Sequence, residues 1–223
     1  MRCQRISAAR GVTVSIPSPI DRALSQSGFF VHAEAEAGRS DVEALISRVY
    51  ALRYQAVVLH FTPTLVSLRR GAGMVAAAGY RRASQETLFL EQYLAAPVES
   101  LLSAHAGMTP RREQIFEVGH LSATRAGAGR DLVVSLCRHL VDEGCEWVVA
   151  TVTQELDHLF VRAGVEPVRL GVATAGALAS DADAWGTYYE HVPRVLAAHL
   201  PRALRRLTRS RAALYRSKLV GTA

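Results

Sequence analysis

Apolar residues first recur at helical spacing behind Ser40, where Val42, Leu45, Ile46, Val49 and Leu52 predict a helix over about 41–54. Ser40-Asp-Val-Glu43 has the spacing of a capping box, in which each of the two side chains satisfies the other residue's orphan amide. Two strand-like runs follow, Thr64 to Arg69 and Met74 to Arg81, and Gly71-Ala-Gly73 between them signals a hairpin. Leu88-Phe-Leu-Glu-Gln-Tyr-Leu94 supplies core positions through its apolar members, Leu88, Phe89, Leu90 and Leu94. Pro97 then suits the first position of a short helix through about Ser103. Gln114 to Leu121 reads as a strand, and the loop Ala123-Thr-Arg-Ala-Gly-Ala-Gly129 leads into a helix over about 128–143. Leu132, Val133, Leu136, Cys137, Leu140 and Val141 form its single apolar stripe, with Gly144 at the C-terminal cap. Trp147 to Val152 is a short β-prone run, Glu155 to Ala163 a helix ending at Gly164, and Val168 to Val172 a further strand. Helix plus antiparallel hairpin, then alternating strands and helices, predict an α/β (α+β) domain with a mixed central sheet flanked by helices.

The 223 residues suit one domain with extensions. Residues 1–24, around Ile16-Pro-Ser-Pro19, read as an extended N-terminal segment, 25–200 as the domain and 201–223 as a helical basic tail. Seven of the 26 basic residues lie in that tail with no acid, leaving 19 basic against 20 acidic residues before it. Leu200, Leu204, Leu207 and Leu214 fall near one face of it, so a basic amphipathic helix can meet an acidic carrier protein, an anionic membrane or only solvent. Without aromatic interleaving beyond Tyr215, nucleic acid is not expected as a partner.

Lys218 is the only lysine, which excludes a P-loop and a pyridoxal Schiff base in the core. Cys3, Cys137 and Cys145 form no paired motif, and the eight histidines show no HExxH, so neither a disulfide framework nor a metal site is expected. Basic residues at Met1-Arg-Cys-Gln-Arg-Ile precede no apolar core, and no run of about 18 apolar residues occurs; a cytoplasmic protein is the expectation.

The strand, glycine loop and helix at 114–143 carry the candidate chemistry. Amides at a glycine-opened helix N-terminus cradle phosphate, whether of a nucleotide or of a pantetheine arm. Gly127-Ala-Gly129 lacks the third glycine of a dinucleotide fingerprint. It resembles the Q/R-x-x-G-x-G/A pyrophosphate loop of GNAT acetyltransferases, with Thr124 at the first position and Arg125 one place away. Thr124, Arg125, Gly127, Ala128, Gly129 and Arg130 are therefore the candidate donor-binding residues.

Three further motifs appear in order. Gly79-Tyr-Arg81 precedes Leu88-Phe-Leu-Glu-Gln-Tyr-Leu94 with Pro97-Val-Glu99; Glu117-Val-Gly-His120-Leu121 follows, then Trp185-Gly-Thr187-Tyr188-Tyr189. Over about residues 40–200 this resembles the thermostable hemolysin family, with its L-F-L-E-Q-Y-L-x-x-P-x-E run, E-V-G-N-L strand and W-G-S-Y-Y segment. His120 replaces the asparagine and Thr187 the serine. The resemblance implies a GNAT-like fold and a distant similarity to acyl-homoserine lactone synthases, which move an acyl chain from acyl carrier protein to an amine. It implies an N-acyltransferase whose co-substrate is an acyl thioester of phosphopantetheine, on acyl carrier protein or coenzyme A, with a small amine as acceptor. A membrane-active lytic protein is the alternative that the family name suggests, and a thioester-binding protein without turnover is a third.

Such a transfer needs a base for the amine, donors for the oxyanion and an acid for the thiolate. Glu117, in an apolar strand that would raise its pKa, is either the base or an ion-pair partner of Arg81. Gly119 shares its face and leaves room for a thioester, whereas His120 points away unless a bulge intervenes. Tyr188 and Tyr189 are candidate acids, or else one core ring and one exposed ring. Arg81, Glu91, Tyr93, Glu99 and Trp185 complete the candidate acceptor-binding set.

Overall fold

A computed structural model describes residues 28–209. Seven strands form one sheet: β1 (Gly28–His32), β2 (Thr64–Arg70), β3 (Gly73–Arg82), β4 (Ile115–Ala123), β5 (Trp147–Val152), β6 (Val168–Val172) and β7 (Arg194–His199). Their spatial order is β1-β2-β3-β4-β5-β7-β6, with every neighbouring pair antiparallel except β4 and β5. Helices α1 (Arg39–Tyr54), α2 (Val98–Ala106), α3 (Ala128–Asp142), α4 (Gln154–Arg162) and α5, described over 200–209, flank it. This is the mixed sheet that the order of periodic segments predicts. The segment read as an N-terminal extension and the tail beyond 209 lie outside the described residues. No helix among the described residues is long and apolar enough to cross a membrane.

Strand alternation sorts the core into two faces. Val66, Leu68, Ala76, Ala78, Tyr80, Phe116 and Val118 meet Leu132, Leu136 and Leu140 of α3. On the opposite face Leu65 and Ala77 meet Val42, Leu45, Ile46, Tyr50 and Tyr54 of α1. Each fully buried leucine contributes roughly 1.5–3 kcal/mol of transfer free energy. The buried row of α1 runs 42, 46, 50, 54, so it passes through two tyrosines; Leu52, expected on that stripe, is exposed. The expected capping box is also absent. Gly38, at φ 91°, precedes the helix, and Arg39 takes the carboxylate of Glu43. Arg39 also donates to the carbonyls of Thr62 and Pro63, so this arginine clamps α1 to the start of β2.

Two strands escaped the sequence reading. β1 pairs only with β2 at the sheet edge, and β7, with its Ala197-Ala-His199 end, is inserted between β5 and β6. The alanine-rich connection before β7 is a 3-10 segment, Ala175–Trp185, followed by a second at Tyr188–His191. Here the chain folds back onto the end of α1. Val57 N–H donates to Ala184 O at 2.6 Å, and both the amide and the hydroxyl of Thr187 donate to Tyr54 O. A serine at 187 would retain that hydroxyl bond. Gly186, at φ 50°, passes so close that a Cβ would stand 2.2 Å from Tyr54 O. Gly186→Ala is therefore expected to cost at least about 2 kcal/mol in strain, lowering Tm by roughly 4–8 °C. Thermal unfolding checks it, and an unchanged Tm would show that the turn relaxes freely.

Candidate active site

β4 and β5 run parallel for only three pairs, Ile115↔Trp147, Phe116↔Val148 and Glu117↔Val149. Beyond Glu117 the first strand follows β3 and the second follows β7, so the two diverge. A bulge lies just there. The β3–β4 register shifts between Ala77 and Gly79, and His120 takes φ 55°. Histidine and asparagine both tolerate this left-handed region better than most residues, which gives the His120-for-asparagine replacement a backbone reason. Gly79 faces Gly119 across the pair, and a Cβ on Gly79 would meet Thr62 Oγ1 at 2.0 Å.

The divergence leaves two spaces with a narrow constriction between them. On the loop side a cleft of about 640 Å³ is lined by Arg53, by Thr124 to Gly127 with Gly129 and Arg130, and by Leu156 and Phe160 of α4. Gly127 caps α3 at φ 78°, and no side chain caps the helix. The first-turn amides of Gly129 and Arg130 have no acceptor within the helix. Arg130 Nε and one terminal nitrogen are buried without a partner. Of the predicted donor-binding residues, Ala128 alone turns into the core, and Thr124 spends its hydroxyl on Val75 O.

On the other side a chamber of about 290 Å³ collects Arg81, Tyr93, Glu117, Gly119, His120, Trp185, Tyr188 and Tyr189. A space of about 20 Å³ lies between the two, sharing Tyr54, Leu121 and Leu156 with the cleft and Gly119, His120, Thr151 and Tyr188 with the chamber. Two buried polar atoms lining it, His120 Nδ1 and Thr151 Oγ1, have no partner, while the Thr153 hydroxyl pairs with that of Tyr54.

Glu117 is 5% exposed. The amides of Phe89 and Leu90 donate to its two different oxygens at 2.8 and 3.0 Å, and Arg81 Nε lies 3.4 Å away. Burial pushes its pKa up to about 7 against the opposing pull of Arg81 and the two amides. Arg81 is closer to Glu86, at 3.0 Å. The bulge turns His120 inward, contrary to simple alternation, against the rings of Phe61 and Tyr50. Burial lowers its pKa to about 4, so the imidazole is neutral. Tyr188 is buried and donates to Thr151 O at 3.3 Å, while the Tyr189 hydroxyl meets that of Tyr93 at 2.5 Å. Burial raises both tyrosine pKa values, that of Tyr188 most strongly.

Glu91 and Glu99 do not reach the chamber. Both pair with Arg112, at 2.9 and 2.7 Å, and Glu91 also accepts the amides of Leu88 and Val98. Burial opposes ionisation of Glu91, but Arg112 and these amides hold its carboxyl below the usual range. The two acids shape the 3-10 segment Phe89–Tyr93 that grips Glu117. Phe89, read as core, is 37% exposed and lines the chamber beside Trp185. Tyr50, Thr151 and Thr153 were not singled out from sequence. A helix-stripe tyrosine and β-prone threonines look like ordinary packing residues, and of the three only Thr151 is marked by an unspent polar atom.

No curated protein matches the chain. Solved structures do. TofI, in an apo form, superposes with TM-score 0.55 at 16% identity, over 81% of this chain and 96% of its own. The AHL synthase LasI gives 0.52 at 14% identity, over 78% and 91%. FeeM, an N-acyl amino acid synthase from uncultured soil microbes, gives 0.52 at 12% identity, over 79% and 97%. At these identities the likeness is one of fold. The sequence match goes further: a family model covers residues 32–204, and the chain belongs to the thermostable hemolysin family.

Proposed function

We propose that the protein is an N-acyltransferase that moves an acyl group from a phosphopantetheine thioester to an amine. The observation that carries this reading is the constriction with two unpartnered polar atoms, set between a cleft with open amides and a chamber holding Glu117. The pantetheine arm lies in the cleft, its phosphate toward the Gly129 and Arg130 amides. The amine enters the aromatic chamber. Glu117, with a pKa of about 7, takes a proton from the amine nitrogen as that nitrogen bonds to the thioester carbon. The Thr151 hydroxyl and the His120 ring supply hydrogen bonds where the oxyanion develops. The C–S bond then breaks, the thiolate takes a proton from Tyr188, the proton held by Glu117 is returned by way of solvent to Tyr188, and amide and free thiol leave. Tyr189 is engaged with Tyr93 and shapes the acceptor wall. The synthase activities named for LasI and FeeM agree with this chemistry.

Intact-mass measurement tests the reading. Acyl-loaded carrier protein or acyl-coenzyme A, mixed with the protein and a panel of amines, should lose its acyl group only when an amine is present. Loss without amine would indicate a thioesterase, and no loss with any acyl donor would leave the binding-protein alternative.

The carrier itself is a finer question. Arg202, Arg205, Arg206 and Arg209 lie in described helix, and Arg211, Arg216 and Lys218 follow. Leu200, Ala203 and Leu207 of α5 are buried. A deletion that spares the fold must therefore begin after 209. We expect removal of 210–223 to weaken use of an acidic carrier-bound donor several-fold at low salt, with little effect on a small pantetheine donor. The difference should fade as salt screens charges beyond about 10 Å at 0.1 M. Equal loss with both donors would make the segment structural.

A further inference from the structure

A further cavity, of about 80 Å³, lies beneath α3 between the diverging halves of β4 and β5. No charged, hydroxyl or amide side chain lines it. Leu121, Val133, Phe160 and Leu207 serve as walls of both this cavity and the donor cleft, and Val118 is shared with the acceptor chamber. A space without hydrogen-bonding side chains penalises polar ligands and favours hydrocarbon. Among the proposed reactants, the acyl chain is hydrocarbon. It must also extend from a carbonyl placed at the constriction, where Val118 stands.

We propose that this cavity is the acyl-chain subsite, that it takes a saturated chain of medium length without an oxo or hydroxyl group at the third carbon, and that α5 sets the chain length. The inference rests on the thioester-donor reading above. At about 10–15 Å³ of such space for a water-sized group, a cavity of 80 Å³ takes about five to eight methylenes, or an acyl group of roughly six to nine carbons. A polar group on the third carbon would be buried unpaired, weakening binding roughly tenfold or more. The floor is fixed from outside. Arg206 of α5 pairs with Glu166 at 2.8 Å and donates to Gly164 O, which ties the helix to the segment after α4. Leu207, on the inner side, is 4% exposed and stands between the cavity and the cleft.

Binding of acylpantetheines from two to sixteen carbons to the full-length protein, measured by calorimetry, tests this without requiring the acceptor. Affinity should climb about fourfold per methylene, ~0.8 kcal/mol each, up to about eight carbons, then level or fall. The 3-oxo analogue of the best chain should bind at least tenfold more weakly. Leu207→Ala should move the break toward longer chains. Ala203→Leu, which fills the cavity from the same helix and needs no new void, should move it toward shorter ones. A flat chain-length profile with pantetheine itself bound would overturn the subsite and leave the donor reading standing. So would an unmoved break in both folded variants. Failure of pantetheine and every acylpantetheine to bind would overturn the donor reading, and this subsite with it.

Discussion

Glu117→Gln should lower acyl transfer by roughly 10²–10⁴-fold, the range for loss of a general base, while donor binding stays near wild type. The substitution is less conservative than it looks. Glu117 accepts Phe89 N–H and Leu90 N–H on separate oxygens, whereas glutamine offers one acceptor oxygen, so one hydrogen bond worth about 1 kcal/mol is lost. The measurement must therefore separate a base from a strut, and pH does so. A base with pKa about 7 makes wild-type turnover rise with pH and level off above that value. The residual rate of the variant should lack this inflection.

Stability gives the complementary sign. Burial raises the pKa from 4.5 to about 7, so the folded state binds more protons than the unfolded chain between those values. The group's contribution to stability is full below pH 4.5, falls by about 3 kcal/mol up to pH 7 and is constant beyond. Glu117→Gln should flatten that slope. Wild-type turnover in the variant, or an inflection retained at pH 7, would reassign Glu117 to holding the Phe89–Tyr93 segment.

The fold was legible where one periodicity ran long enough to stand alone. The hairpin, β4, α3 and β5 carry unbroken apolar stripes, and their observed bounds lie within about two residues of those read from sequence. β7 carries no such stripe. Arg194-Val-Leu-Ala-Ala-His199 is short and weakly β-prone, and its place between β5 and β6 is set by pairing with residues far away in the chain. The site divides in the same way. Glu117, Gly119, Arg81 and the tyrosines lie together because strand alternation and the motif order place them there. His120 was misdirected because one residue in the left-handed region reverses the alternation, and no local pattern announces such a bulge. Glu91 and Glu99 were misread because Arg112, 21 and 13 residues away, captures both carboxylates. Polar residues in an apolar run signal a site or a partner, and sequence alone does not say which.

Gly127→Val should abolish binding of pantetheine and acylpantetheine, an expected loss of 100-fold or more on steric grounds. At φ 78° a valine is strained, and its side chain points into open space, the space the donor must occupy. Strain alone costs about 1–3 kcal/mol, so Tm should fall by several degrees while the core stays formed. Gly127→Asn separates the two effects. Asparagine tolerates the left-handed region but still crowds the cleft, so it should restore most of the stability and little of the affinity. Gly129 differs, because a Cβ there would sit 3.4 Å from that of Ala123, an ordinary contact. Gly129→Ala should fold normally, and it weakens the donor only if the ligand approaches that amide closely. Calorimetric titration with pantetheine reads all three variants, and unchanged affinity in folded Gly127→Val would place the donor elsewhere on the sheet.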